Sequence, residues 1–206
     1  MIDNIHLDSL DIVQVLTDKN AVTWGHYKGT SGKHLNCYVH KDRIFEAPDL
    51  RTTILFLTTN IILDIPNPFE VVTGPAVAGA IFAALLVSRL GKKIFVYPEK
   101  IDARWDKSLG WCGGRMAFRR GYDKTIKDKR VLILEDVVTT GGSVRKTINA
   151  VQECGGQVAA VVAIWDRAEA GDLGVPFFPL IRRPLSSWEE ENCPMCKEGI
   201  PVEKVK

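Results

Sequence analysis

Residues 131–144 constrain the fold more than any other stretch of the chain. Val131, Leu132, Ile133 and Leu134 form a short, continuous apolar run of the kind a strand buried on both faces presents. Glu135 and Asp136 follow where such a strand is expected to end. Val137, Val138, Thr139, Thr140, Gly141, Gly142 and Ser143 come next, and a new apolar period opens at Val144. A strand that ends in carboxylates and turns through hydroxyls and glycines into a helix can hold a phosphorylated sugar. The acids accept hydrogen bonds from sugar hydroxyls, and the turn offers backbone N–H groups and a helix N-terminus to a phosphate. The plainer reading is a set of caps at an ordinary strand–helix turn.

The flanking sequence keeps an alternating rhythm. Residues 71–73 predict a short buried strand, Gly74-Pro75 a turn, and residues 76–90 a helix stopped by Gly91. Further strands are expected at 94–97 and 158–165 and a helix at 143–154, with Gly155-Gly156 as its stop. Residues 98–114 read as a long polar connection, and 115–119 as a strand pairing antiparallel nearby. Strand, helix, strand in this order predicts an α/β fold, a parallel sheet with helices on both faces. With 206 residues, 46% of them hydrophobic, the chain is long enough for a substantial core. Ligands of such sheets bind beyond the carboxyl ends of the strands. The ends at Thr73-Gly74, Glu135-Asp136 and Asp166-Arg167 are expected to converge on one crevice. Outside the alternation, residues 9–18 predict an amphipathic helix capped by Asp8 or Ser9, and 21–45 short β-like pieces. Residues 48–63 predict a helix opened by Pro48 and ended before Pro66 and Pro68. The expected organisation is one domain over 1–206, with a core of about 64–175. A small hood is expected from about 1–63 and 176–206.

Several functional classes are disfavoured. A net charge of +2 gives no electrostatic reason to expect nucleic acid or a membrane. The longest apolar stretch, 76–88, is too short to span a bilayer and contains Gly79. No charged, apolar, small-residue succession opens the chain, so a signal peptide is not expected. Five scattered cysteines fit a reducing cytoplasm better than a disulfide framework. Gly32-Lys33 is followed by His34, not Ser or Thr, so a Walker loop is excluded, and no Gly-x-Gly-x-x-Gly follows a strand. Cys193-x-x-Cys196 is a single pair, whereas a structural zinc needs four ligands. Cys37, Cys112, Cys154 or histidines are the remaining candidates. The reading favours reduced cysteines at a buried turn, with His26 and His34 solvated or structural, and assigns no metal ligand.

The full order of residues 131–143 resembles the phosphoribosyl-pyrophosphate signature of the type I phosphoribosyltransferases. Other segments, in the same order along the chain, resemble the orotate phosphoribosyltransferase family. They are Gly25-His26-Tyr27 through Thr30-Ser31-Gly32-Lys33-His34, Val72-Thr73-Gly74-Pro75-Ala76-Val77-Ala78-Gly79, residues 115–122, Trp165-Asp166-Arg167-Ala168-Glu169, and the tail from Cys193 to Pro201. The resemblance implies that Glu135, Asp136, Val137, Val138, Thr139, Thr140, Gly141, Gly142 and Ser143 bind the phosphoribosyl donor, with Thr73 and Gly74 on its pyrophosphate. It implies that Thr139, Arg167, Ser31, Gly32 and Lys33 contact orotate. A guanidinium suits a planar carboxylate-bearing base, although Arg167 also has Asp166 and Glu169 as candidate ion-pair partners. Lys100, Arg104 and Lys107 are the candidate catalytic cations, on a loop that could act as a lid. Departures from the family are Ala78, where some members carry lysine, Leu35 in place of a serine, and a 97–114 loop that does not spell Lys-Asp-His.

The resemblance further implies Mg2+ as cofactor, a homodimer, and a cytoplasmic enzyme of pyrimidine biosynthesis. The expected reaction joins orotate to 5-phosphoribosyl 1-diphosphate, giving orotidine 5′-phosphate and pyrophosphate. The alternatives are a phosphoribosyltransferase for another base and a non-catalytic sensor of the donor.

Overall fold

The apolar runs in the middle of the chain close into a five-stranded, all-parallel sheet, as the alternation predicts. The computed structural model describes residues 9–29, 32–66, 68–102, 104–106, 110–112 and 114–203. The chain divides into two units: a hairpin unit of residues 1–53 and 183–206, and a sheet unit of residues 54–182.

The hairpin unit begins with helix α1 (Ser9–Asp18), which buries Ile12, Val13 and Leu16. Asp8, one expected cap, lies outside the described residues. Strands β1 (Val22–Lys28) and β2 (His34–Val39) pair antiparallel. The Gly29 N–H donates to the Lys33 carbonyl at 2.8 Å and closes the turn between them. Residues 41–45, expected to be β-like, belong instead to the short helix α2 (Lys41–Glu46), with Asp42 suiting its first turn. Helix α3 (Pro48–Leu63) has the bounds the sequence predicts and runs on into the sheet unit.

In the sheet unit, β3 (Val71–Thr73) leads through Gly74-Pro75 to α4 (Ala78–Leu90) and then to β4 (Ile94–Phe95). The stretch expected as a polar connection instead holds β5 (Glu99–Ile101), β6 (Arg104–Asp106) and β7 (Gly110–Cys112). Strand β5 pairs antiparallel with β8 (Arg115–Ala117), as expected for the latter, and β6 pairs with β7. A ribbon of paired strands satisfies backbone groups that a 17-residue open loop would leave to water. Helix α5 (Tyr122–Ile126) precedes β9 (Arg130–Val138), which is followed by α6 (Gly142–Glu153), β10 (Gln157–Asp166) and β11 (Phe177–Arg182).

Two features of this order position the site. First, β9 does not end at Leu134: ladder pairing with β10 continues to Val138, so Glu135 and Asp136 lie inside the strand. Second, the strand order is β11-β10-β9-β3-β4. The chain leaves β3 toward one edge and leaves β9 toward the other, so the order reverses between these two neighbours. Right-handed crossovers in opposite directions put α4 and α6 on opposite faces. Val131 and Ile133 pack with Val144, Ile148 and Val151 of α6 in one apolar cluster, and α4 packs against β3 and β9. Strand β11, from a segment outside the predicted alternation, joins through a connection without a helix. As an edge strand it tolerates Pro179, which pairs with Ala163.

The chain then returns to the hairpin unit. Strand β12 (Ser187–Trp188) extends the hairpin sheet in the order β1-β2-β12, and a 3₁₀ turn (Glu190–Asn192) leads to α7 (Pro194–Lys197).

Candidate functional site

The carboxyl ends of β3, β9 and β10 lie side by side, with Thr73 opposite Ile133 and Asp166 opposite Val138. A crevice at a reversal of strand order is where open parallel sheets bind ligands, because the connections part there and leave the strand ends uncovered.

Two glycines let the connection after β3 approach β9. A Cβ on Gly74 would stand 2.3 Å from the Gly79 carbonyl oxygen and 2.5 Å from that of Leu134. A Cβ on Gly79 would stand 2.7 Å from the Leu134 oxygen and 3.1 Å from Glu135 Oε1. Only hydrogen fits at either position, so the start of α4 is held against the strand that carries the acids. The Thr73 side chain is fully buried, and its hydroxyl has no hydrogen-bond partner among the described residues. Leaving a buried hydroxyl unsatisfied costs about 1–3 kcal/mol, so it is a group in want of a ligand.

On β9, Glu135 and Asp136 are 6% and 5% exposed. The Asp136 N–H donates to Glu135 Oε1 at 3.2 Å, and the Val137 N–H to Asp136 Oδ1 at 2.8 Å. Both carboxylates are therefore held in place by their own backbone. Val138 is buried, Val137 and Thr139 are half-buried, and Thr140, Gly142 and Ser143 are exposed. Gly141 adopts φ +75°, the left-handed conformation that glycine takes at low cost, and turns the chain into α6. Helix α6 has no side-chain cap at Gly141 and no acid in its first turn. Its first N–H groups and positive dipole end are open to an anion.

The third wall follows β10. Asp166, 4% exposed, accepts from the Ala168 N–H at 2.8 Å and from Arg182 Nε at 3.0 Å, so it fixes its own turn to β11. Arg167 pairs with Glu169 at 3.3 Å, one of the two partners the sequence offered it, and its side chain is only 14% exposed. Arg145, which the sequence reading passed over, donates to the Asp172 carbonyl at 2.7 Å and also to the Ala170 carbonyl. A Cβ on Gly141 would meet Ala170 and Leu173. The turn after β9 and the loop after β10 are thereby fastened together across 25 residues of sequence, a separation no local pattern reveals.

The remaining expected residues are distributed as follows. Lys100 is exposed on β5 and lines one groove with Ala76 and Val77, next to the glycine turn. The Arg104 side chain and Lys107 lie outside the described residues, as does Ser31. Gly32 (φ +86°) and Lys33, which pairs with Glu189 at 3.4 Å, belong to the hairpin unit. The histidines read as solvated or structural are both buried, at 1% exposure. In the hairpin unit they gather with Cys193 and Cys196 into the cluster that the sequence reading set aside.

Mg2+ prefers oxygen ligands and is commonly carried by substrate phosphates. Among the described residues, the cysteine–histidine cluster is the only group of three or more candidate metal ligands, and it is a sulfur–nitrogen set. The crevice itself offers the oxygen donors of Glu135 and Asp136. That fits a magnesium ion brought in on a diphosphate, with those carboxylates at hand, and not one held in a protein cage.

Comparison with known proteins gives a consistent result. A family model described as a phosphoribosyl transferase domain matches residues 40–173. The orotate phosphoribosyltransferase of Carboxydothermus hydrogenoformans is 34% identical over 197 residues, covering 95% of this chain and 96% of the relative. That of Caldicellulosiruptor bescii is 35% identical over 193 residues, covering 93% and 94%. Among solved structures, orotate phosphoribosyltransferase from Aeropyrum pernix superposes with a TM-score of 0.65 at 25% identity, covering 83% of this chain and 93% of that one. An adenine phosphoribosyl transferase from Trypanosoma brucei, in complex with AMP, pyrophosphate and ribose-5-phosphate, reaches 0.61 at 17% identity, covering 83% and 79%. At that identity the likeness is one of fold alone.

Proposed function

The chain belongs to the orotate phosphoribosyltransferase family, and we propose from that premise that it transfers the 5-phosphoribosyl group of 5-phosphoribosyl 1-diphosphate to orotate. A ring nitrogen of the deprotonated base attacks C1 of the ribose. The C1–N bond forms, the C1–O bond breaks, and pyrophosphate leaves with the bonding pair, giving orotidine 5′-phosphate. The base enters as an anion, so no strong general base is needed, and the barrier lies in charge gathering on pyrophosphate.

One observation carries the reading of the donor site: the buried carboxylates of Glu135 and Asp136 and the open N-terminus of α6 are consecutive on one strand–turn–helix, beside the unpartnered Thr73 hydroxyl. The acids accept the ribose hydroxyls. The backbone from Thr139 to Ser143 binds the 5-phosphate, and Thr73 with the Gly74 turn binds pyrophosphate. Magnesium, when bound with the donor, neutralises charge on the leaving group. Lys100 is the described cation nearest in role. Support for it is its place beside Ala76 and Val77, and removing one such stabilising group typically costs about 10²–10³-fold in rate. Thr139 and Arg167 recognise orotate. Arg167 does so by exchanging its ion pair with half-exposed Glu169 for the substrate carboxylate.

The working form is proposed to be a homodimer in a reducing cytoplasm. Supporting the dimer are the exposed apolar side chains of Val77, Ile81 and Ile94, at 71%, 42% and 42%, and supporting the compartment is the scatter of five cysteines along the sequence. No helix among the described residues is long and apolar enough to cross a membrane. The test is pyrophosphate release from donor and Mg2+ with orotate, uracil, adenine, hypoxanthine or xanthine supplied singly. Turnover with orotate is expected. Turnover with a purine alone would overturn the acceptor, and none with any base would overturn the enzyme.

A further inference from the structure

Four side chains far apart in sequence meet in the hairpin unit. His26 Nε2 lies 2.7 Å from His34 Nδ1, 3.5 Å from Cys193 Sγ and 3.7 Å from Cys196 Sγ. Cys196 Sγ lies 3.2 Å from His34 Nδ1, and all four ligand atoms fall within 4.8 Å of one another. A tetrahedral zinc with bonds of about 2.3 Å to sulfur and about 2.0–2.1 Å to nitrogen separates its ligand atoms by roughly 3.3–3.8 Å. The two His26–sulfur separations match those edges, the Cys196–His34 separation is just short of them, the two nitrogens are drawn in, and no separation exceeds 4.8 Å.

Local structure explains how the four converge. The β1–β2 ladder shifts register between Trp24 and Tyr27, where an extra residue in β1 makes a bulge. A bulge re-aims the side chain it carries, and here His26 and Tyr27 both turn inward, against strand alternation. His34 opens β2 on the opposing strand. Cys193, at the N-cap of α7, and Cys196, within its single turn, stand at i, i+3, which puts both sulfurs on one side, with Pro194 at the first helical position.

The surrounding groups orient the ligands as a metal requires. His26 Nδ1 is 2.7 Å from the Ile200 carbonyl, which can only accept, so the proton sits on Nδ1 and Nε2 presents its lone pair to the cluster. The other nitrogen of His34, Nε2, faces the Glu190 carboxylate at 3.7 Å, and Nδ1 is turned to the cluster. Two imidazole nitrogens and two sulfurs, three of the four residues buried, point at one another. Protons can bridge such a set only pairwise, whereas one cation satisfies all four atoms at once.

We propose that His26, His34, Cys193 and Cys196 bind one zinc ion. The set is closed, with four protein ligands and no open position, which is the mark of a structural site and not a catalytic one. Zinc ties the β1–β2 hairpin to the C-terminal turn. Helix α7 is one turn long and buries none of its own residues, so it has little else to hold it.

The full-length chain, purified without chelator, is expected to carry about one zinc per chain by elemental analysis. Exchange for Co2+ should give the intense visible bands of a tetrahedral ion together with thiolate-to-cobalt charge transfer. Cys196→Ser and His34→Ala should lose both the zinc and the spectrum, whereas Cys154→Ser, outside the cluster, should keep them. If Cys193→Ser fails to fold because that residue is fully buried, the wild-type cobalt spectrum and half-buried Cys196 still decide the matter. Wild-type protein that holds no zinc after reduction and added Zn2+, or that shows cobalt bands without thiolate character, overturns the site. So does a Cys193–Cys196 disulfide in metal-free native protein.

Discussion

The proposed donor site in the sheet unit and the cysteine–histidine cluster in the hairpin unit are both small sets of polar groups at strand ends, yet they are encoded in opposite ways. Glu135 to Ser143 are consecutive, so a single strand–turn–helix brings carboxylates, hydroxyls and a helix N-terminus together. The cluster joins residues up to 170 positions apart, and it depends on a bulge and on the return of the tail. A consecutive site brings its own groups together, and pairing with β3 and β10 then sets it in the sheet. An assembled one exists only after long-range pairing, and a zinc ion offsets the entropy of holding its parts together.

The same contrast governs what could be read in advance. The apolar run at 131–134, the Gly74 turn and the helix at 48–63 were legible because their signals are local and periodic. The extension of β9 through Glu135 and Asp136 was not. Carboxylates read as strand ends, and only pairing with β10 keeps the chain extended through Val138. Strand β11 was missed because Phe177 to Arg182 contains Pro179 and follows a connection without a helix, where the alternating rhythm fails. The ribbon from Glu99 to Cys112 was hidden by its polar composition. The inward turn of His26 beside Tyr27 had no sequence signal, because a bulge there overrides the strand alternation. The Arg145 clamp has no sequence signal at all.

The largest test of the contrast is Asp136→Asn. The substitution keeps the shape and removes the charge proposed to hold the ribose hydroxyls, so kcat/KM for the donor should fall about 10²–10³-fold. Zinc content should stay at the wild-type level, because the two sites share no residue. Undiminished affinity for the donor, measured by titration calorimetry, would remove Asp136 from the ribose site.

Gly74→Ala asks whether the consecutive motif depends on its neighbour. The new methyl group would meet two backbone carbonyl oxygens, of Gly79 and Leu134, and neither can swing aside as a side chain could. Overpacking of this kind costs about 1–3 kcal/mol, read as a lower denaturant midpoint. Donor affinity should fall with it, since the turn and the acids would be forced apart. A variant as stable as wild type would mean that the close approach is not required.

Arg167→Ala separates acceptor from donor. Loss of a charge-assisted pair is worth about 1.5–3 kcal/mol, so KM for orotate should rise roughly 10–100-fold while donor affinity holds. A drop in donor affinity of the same size would show that Arg167 serves the phosphoribosyl side.

The smallest effect has the opposite sign. Glu169 pairs with Arg167 at 3.3 Å and is itself 42% exposed, so the pair is worth about 0–1 kcal/mol. If orotate must displace Glu169 to reach the guanidinium, Glu169→Gln weakens the competitor without removing the ligand. KM for orotate should then fall, by no more than about fivefold given that energy. The effect should vanish in the Arg167→Ala background, because the two residues act through one another. A rise in KM for Glu169→Gln would instead mean that the carboxylate positions Arg167 for the base, and the ion pair would then be part of the bound state and not its rival.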